Sequence, residues 1–427
     1  MAVIGLSLCV LGIATGAVCV IRDGWRGEVK QPAAGPSVYQ LRRSDDPADH
    51  AEARRLTVAY DREMEKILNR HPSLRPVWKE VPDSKNGFLL WLNFMERRGG
   101  ALATDDDVDF EMPNKIYEII YEMTDWDGEA VDHFLTEKAS ILNEVRRIGL
   151  LEHQSAAGIS VDRYSFVPAS FAKKCMDLLC ADARVAAGKG DSERALESLR
   201  AALGIARHHA GIEVPSLINE TIAVLGQLTV YQTAVRDVIP ALDLDPSDLR
   251  VWREKLQPVS NERFSQVMRG EFFVGVRGLV IPWVNYDPEK MMEDGLPDKD
   301  AFYDALAGLM KFRMNRTDWL NPLGMWQVSH GVWEYEFDSD LSRESRDLID
   351  VYSIGFEVYT KGWTRARSIY RYYNAALAIA AGDEPPLELI TGKAFLFDEK
   401  TRVLSFPDDP VLEGLQPEED VVVPLAS

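Results

Sequence analysis

Glu271 is the residue whose type and setting most resemble chemistry. If 260–280 is one helix, then at 100° per residue Phe264, Val267, Met268, Phe272, Gly275, Gly278 and Leu279 share a face, and Glu271 falls near its middle. Glu262, Gln266, Arg269 and Arg277 fall on the opposite side, with Phe273 among them. A carboxylate on an apolar face must be paired, or its pKa rises through desolvation. A raised pKa is what a general acid or base requires. Two outcomes follow: a catalytic carboxyl group, or a structural one held by an arginine or by the backbone amides of a neighbouring helix. The structural outcome is the expectation.

Two other groupings suggest metal chemistry. His208 and His209 lie near Glu213. Adjacent histidines on a helix diverge by about 100° and cannot both reach one ion without distortion. The expectation is instead that they sit at a helix C-terminus and interact with its dipole. Asp105, Asp107 and Asp109 have the alternating spacing of a calcium loop, but the sixth position is Phe110 and the twelfth is Ile116. An EF-hand needs glycine and glutamate there, so a solvated acidic loop is expected and a weak, irregular calcium site is the alternative. There is no G-x-S-x-G elbow, no phosphate-binding G-x-x-x-x-G-K-[ST] and no G-x-G-x-x-G following a strand. No cofactor is expected.

The ten tryptophans could stack on a ligand. Most, such as Trp78, Trp91 and Trp252, have apolar neighbours that suit a core. Trp326 and Trp333, beside Tyr335 and Phe337, fit a core least well and are the expected partner-binding surface.

The elements that must position these residues read as mostly α. Asp46-Pro47 is an N-cap followed by proline at the first helical position, opening a polar helix to about Asn69. His71–Asp83 contains three prolines and reads as an extended connection. Helices are expected over Asn86–Arg98, Pro113–Met123 and Glu129–Leu151. Two helical runs follow, Phe171–Ala187 and Ser192–Ala210, joined by Gly188-Lys189-Gly190-Asp191. Beyond them, helices are expected over Val214–Val238, from Asp245-Pro246 to Leu256, over 258–281 and 301–314, and from Arg343 to Ala381. Trp333–Asp338 alternates like a strand, and Phe395–Phe397 with Arg402–Phe406 reads as a small β-hairpin. The resulting division is 1–30 anchor and flank, 31–45 linker, 46–160, 161–282 and 283–390 helical regions, and 391–427 a small β element and tail.

The pair joined at Gly190-Asp191 resembles one tetratricopeptide repeat: Ala195 and Leu196 open the second helix, and Ala202 and Leu203 follow seven residues later. It departs from that pattern at Ala186, where the first helix of a repeat carries a large aromatic. One repeat cannot bury its own face, so neighbouring helices must cover it, Val214–Val238 first among them. With Val81-Pro82-Asp83, Asn86-Gly87, Arg269-Gly270-Glu271, Gly382 and Pro385-Pro386, the layout is similar to that of uncharacterised bacterial membrane-anchored helical proteins. The resemblance implies an order of elements and no activity.

The placement of the body depends on Ala2–Ile21, which carries no charge. At ~1.5 Å per residue it spans about 30 Å, a bilayer's hydrocarbon core. A permanent signal-anchor, a cleaved signal peptide and a buried helix compete for it. A basic n-region is absent, and Thr15, Gly16 and Ala17 make a poor cleavage site, which favours the anchor. Gly12 and Gly16 form a G-x-x-x-G pair suited to close helix approach. Arg22, Arg26 and Lys30 would place the body in the cytoplasm by the positive-inside rule. Anchored bodies of this size are more often exported, and an extracytoplasmic body is the expectation.

The 427-residue chain has a net charge of −20, all of it beyond the first thirty residues. That excludes a basic footprint for nucleic acid. Cys175 and Cys180 are five apart on one helix and cannot easily pair with each other. The reading is therefore a membrane-anchored binding or scaffold protein of the cell envelope, with a protein or peptide partner. The alternative is an envelope hydrolase using Glu271 or the acidic loop.

Overall fold

The computed structural model describes residues 41, 46–98, 112–163, 169–257, 266–274, 276, 299–314, 364–413, 417 and 420–424. The apolar run Ala2–Ile21, the acidic loop and the alternating segment Trp333–Asp338 lie outside them. The chain is mostly helical, with a small antiparallel sheet near its C-terminus. In order, the elements are α1 (Pro47–Arg70), α2 (Gly87–Arg98), α3 (Asn114–Ile120), α4 (Gly128–Glu137), α5 (Ala139–Gly149), α6 (Ala169–Gly188) and α7 (Ser192–Ala210). They continue with α8 (Leu217–Thr233), α9 (Pro246–Lys255), α10 (266–274), α11 (Lys299–Met314), α12 (364–380), β1 (Leu396–Asp398), β2 (Val403–Ser405) and β3 (Val421–Val422).

Helix starts follow the capping residues. The Asp46 carboxylate accepts from Ala48 N–H with Pro47 at the first position, Asp191 accepts from Arg194 N–H, and Ser216 with Asn219 forms a reciprocal capping box. The expected helix over Glu129–Leu151 is instead two, α4 and α5, broken at Lys138. The break lets α4, which buries Val131, Phe134 and Leu135, pack on α6 while α5, which buries Ile141, Leu142, Val145 and Ile148, packs chiefly on α7.

The helical hairpin α6–α7 forms as expected, its second helix with the bounds read from the sequence and its first running Ala169–Gly188 rather than Phe171–Ala187, and α8 covers it. Its second helix is enclosed: α6, α8, α5 and α2 all pack on α7, burying Ala195, Leu199, Ala202, Ile205, Ala206 and both histidines. Small residues permit this. A Cβ added at Gly204 would lie 1.7 Å from Gly149 O, and one at Gly149 would lie 2.2 Å from Ala201 O, so α5 and α7 cross backbone to backbone. Buried charge fixes the hairpin's orientation. Asp182 on α6 is fully buried and receives Arg146 Nη2 from α5 at 2.7 Å, with Arg194 Nη2 and Ser198 Oγ from α7 each at 2.5 Å. Burial alone would raise this carboxyl, but these donors hold it below the usual aspartate range. Cys175 and Cys180 are buried free thiols.

The expected C-terminal hairpin gains a third strand. β1 pairs with β2 and β2 with β3, through Leu404↔Val421 and Val403↔Val422. Two short strands alone are marginal in water. Here Tyr372 of α12 donates its hydroxyl to Leu404 C=O and accepts from Val421 N–H at 2.8 Å, while Phe395 and Phe406 pack on its ring.

Candidate functional site

Glu271 is buried, as its apolar surroundings require. Its Oε1 accepts from Leu217 N–H at 2.5 Å, the first amide of α8. Helix N-termini leave amides without intrahelical partners and favour a negative charge. Burial pushes the carboxyl up to about 7, and the Leu217 amide opposes part of that rise. The neighbouring Arg269 turns to Ser73 C=O at 3.5 Å. The carboxylate is therefore held by a backbone amide of a neighbouring helix. Phe273, placed by the helical projection among polar residues, is buried instead. The Tyr60 hydroxyl of α1 donates to its carbonyl at 3.1 Å, so α10 is covered on that side as well.

His208 and His209 do not act as cations at a helix end. Both are fully buried, and burial pushes them down to about 4 and about 3, so they are neutral at pH 7 and the dipole reading is corrected. His208 Nε2 donates to Leu151 C=O at 2.8 Å. Asn219 Oδ1 accepts from Ser216 N–H at 3.1 Å, which leaves its amide nitrogen to donate to His209 Nδ1, also at 3.1 Å. The rings of Phe88 and Trp91 each lie near-perpendicular to His209 with centroids 6.0 Å away.

Glu213 belongs to another structure. Its Oε1 accepts from Lys79 N–H at 3.0 Å and Ser155 Oγ at 2.9 Å, and its Oε2 accepts from Ala156 N–H at 2.9 Å. The three residues do not converge on one point. Among the described residues, no cluster of three or more His, Cys, Asp or Glu side chains could hold a metal ion. Asp105, Asp107, Asp109, Trp326, Trp333, Tyr335 and Phe337 lie outside the described residues.

The tryptophans divide unexpectedly. Trp91 and Trp252 are buried, but Trp78 is 43% exposed and its neighbour Val77 is 85% exposed. Both sit in the connection between Arg75 and Pro82, which has no helix or paired strand. Arg75 enters it at φ −65°, ψ 124°, and Pro82 leaves it at φ −56°, ψ 138°. Proline fixes its own φ and keeps the residue before it extended, so Arg75-Pro76 and Val81-Pro82 stiffen the two ends.

The middle of this segment is fastened from inside. Lys79 gives its N–H to Glu213, and its C=O lies 2.8 Å from Ser155 Oγ. Ser155 is tied in turn to Asn86, the residue before α2, by Asn86 Nδ2 to Ser155 O at 2.9 Å and Ser155 N–H to Asn86 Oδ1 at 3.1 Å. The result is an apolar pair displayed on a fixed backbone. Sequence reading identified the extended connection and missed its exposure. The available signal was Val77-Trp78 lying between prolines and charged residues, with no helical or alternating partner to bury it.

Another polar cluster joins α1 to α11. His71 Nε2 lies 2.8 Å from Asp304 Oδ1 and its Nδ1 lies 2.5 Å from Lys311 Nζ, while Arg70 reaches Asp304 at 3.1 Å and Asp300 at 3.4 Å. Its charges balance one another, and it serves as a clamp between helices. Compared with known proteins, the chain matches no family model, no curated sequence and no solved structure.

Proposed function

We propose that the chain is a membrane-anchored binding or scaffold protein of the cell envelope, and that Val77 and Trp78 form part of its partner surface. One observation carries this reading: a stiff segment, held by Glu213 and Ser155, exposes two large apolar side chains to solvent. Leaving such residues in water forfeits the gain of burying them, about 1.5–3 kcal/mol per large side chain. Prior ordering of the segment lowers the entropic cost of association. The engagement of Glu271 with the first amide of α8 supports binding over a hydrolase that uses Glu271 as its acid or base, which needs that group facing substrate.

In this reading Ala2–Ile21 is the membrane anchor, the body is extracytoplasmic, and Trp326, Trp333, Tyr335 and Phe337 extend the partner surface. Among the described residues no helix is long and apolar enough to cross a membrane. The test is affinity capture from detergent-solubilised membranes with the full-length chain and with its Val77→Glu/Trp78→Glu variant. The expected result is a defined protein partner that the variant loses while retaining its far-UV circular dichroism. Equal recovery by both removes Val77 and Trp78 from the partner surface. Recovery of no partner by the native chain removes the scaffold reading.

A further inference from the structure

Resting on that reading, we infer that the Arg75–Pro82 segment is a strand-addition site, taking an extended peptide antiparallel along its outer edge. In extended backbone, the N–H and C=O of one residue point to the same side, and those of its neighbour to the other. Both backbone groups of Lys79 face the body, its N–H donating to Glu213 and its C=O lying 2.8 Å from Ser155 Oγ, whose single proton it shares with Glu213. A pleated course through 78–80, with Lys79 turned inward, directs the backbone groups of Trp78 and Glu80 outward. Among the described residues they have no hydrogen-bond partner, and both residues are exposed. An arriving strand would find four backbone positions open, the N–H and C=O of Trp78 and of Glu80. Pro76 and Pro82 close the edge at each end, because neither has an N–H to donate. The site is thus short, which suits a peptide segment better than a growing sheet.

The side chains define the occupant. Lys79 and Glu80 take part in no ion pair within the described chain. In antiparallel pairing, Lys79 sits at a non-hydrogen-bonded position, where facing Cα atoms come within about 4.5 Å and side chains interact most closely. A second copy of this chain pairing about that point would set Lys79 against Lys79, which like-charge repulsion disfavours. The complementary strand carries an acidic residue opposite Lys79, a basic one opposite Glu80 and an apolar one opposite Trp78. Read from its own N-terminus, its order is basic, acidic, apolar. Trp78 and Val77 supply the apolar anchors, and the two charges set register and direction.

The test uses the full-length chain in detergent and a fluorescently labelled, end-blocked peptide Thr-Val-Arg-Glu-Phe-Val-Thr, followed by anisotropy. The inference predicts a Kd of about 10 μM or tighter, the range of weak peptide recognition. N-methylation of the peptide's Arg and Phe amides, which face the edge, should weaken binding about tenfold. Methylation of its Glu amide, which faces away, should leave binding within about twofold. Exchange of Arg and Glu should weaken it about fivefold. Failure of the parent peptide to bind, or equal effects from methylation at all three amides, overturns strand addition. If the peptide fails while Val77→Glu/Trp78→Glu still abolishes partner capture, the surface binds in another manner and the scaffold reading stands. If the peptide fails and capture is unaffected, strand addition falls and Val77 and Trp78 leave the partner surface; the scaffold reading falls only if the native chain captures no partner.

Discussion

Replacing Glu271 with glutamine isolates the cost of keeping a carboxylate in the core. The folded carboxyl titrates near 7, against an ordinary value of 4.5. Between those values the folded chain binds a proton that the unfolded chain has released, so this group's contribution to stability falls as pH rises. At about 1.4 kcal/mol per unit, the full change is about 3 kcal/mol, of which roughly 2.5 lies between pH 5 and pH 8. Glutamine keeps an oxygen for Leu217 N–H and does not titrate. Glu271→Gln should therefore be close to native in stability at pH 5 and gain about 2–3 kcal/mol on it by pH 8. The buried histidines act with the opposite sign, because their neutral folded forms cost stability as pH falls below 6.5. The native profile is a superposition, and only the difference between the two chains isolates Glu271. Urea unfolding of each at several pH values, followed by circular dichroism, supplies that difference. Parallel profiles across pH 5–8 would refute the placement of an ionisable, desolvated carboxylate at the start of α8.

Asp182→Ala should destabilise the helical core by about 3–5 kcal/mol, because it leaves Arg146 with no carboxylate inside the bundle; chemical denaturation measures it. With its folded pKa depressed, Asp182 contributes stability above the ordinary value of 3.8 that is lost as pH falls below it, a dependence absent from the alanine variant. Gly204→Ala should cost about 3 kcal/mol or prevent folding, since α5 and α7 must separate to admit a Cβ; thermal unfolding reads this directly. Tyr372→Phe should cost about 1–3 kcal/mol by orphaning Val421 N–H, and hydrogen exchange should rise at Val421 ahead of the helical core.

The parts of the fold written in local chemistry were legible. Asp46-Pro47, Asp191 and Asp245-Pro246 each mark a helix start that the structure repeats, because a cap acts on the two or three amides beside it. The hairpin at Gly190-Asp191 was readable for the same reason. The burial of Glu271 was legible from helical periodicity, but its partner was not: Leu217 is more than fifty residues away, and nothing local links the two. The histidines were misread because a C-terminal position suggests a cation, whereas α2 and the capping box of α8 close over that end and exclude water. Phe273 was assigned to a polar face because a single projection cannot anticipate a helix covered on two sides. The display of Trp78 escaped notice because exposure is decided by what fails to pack nearby, and composition alone makes a tryptophan look like core.

Photo-crosslinking in native membranes tests the central claim most directly, with a photoreactive amino acid placed at Trp78 in one variant and at the exposed Val58 of α1 in another. A discrete adduct to one partner from position 78, absent from position 58, is the predicted result. No adduct from position 78, or the same diffuse products from both, would contradict it.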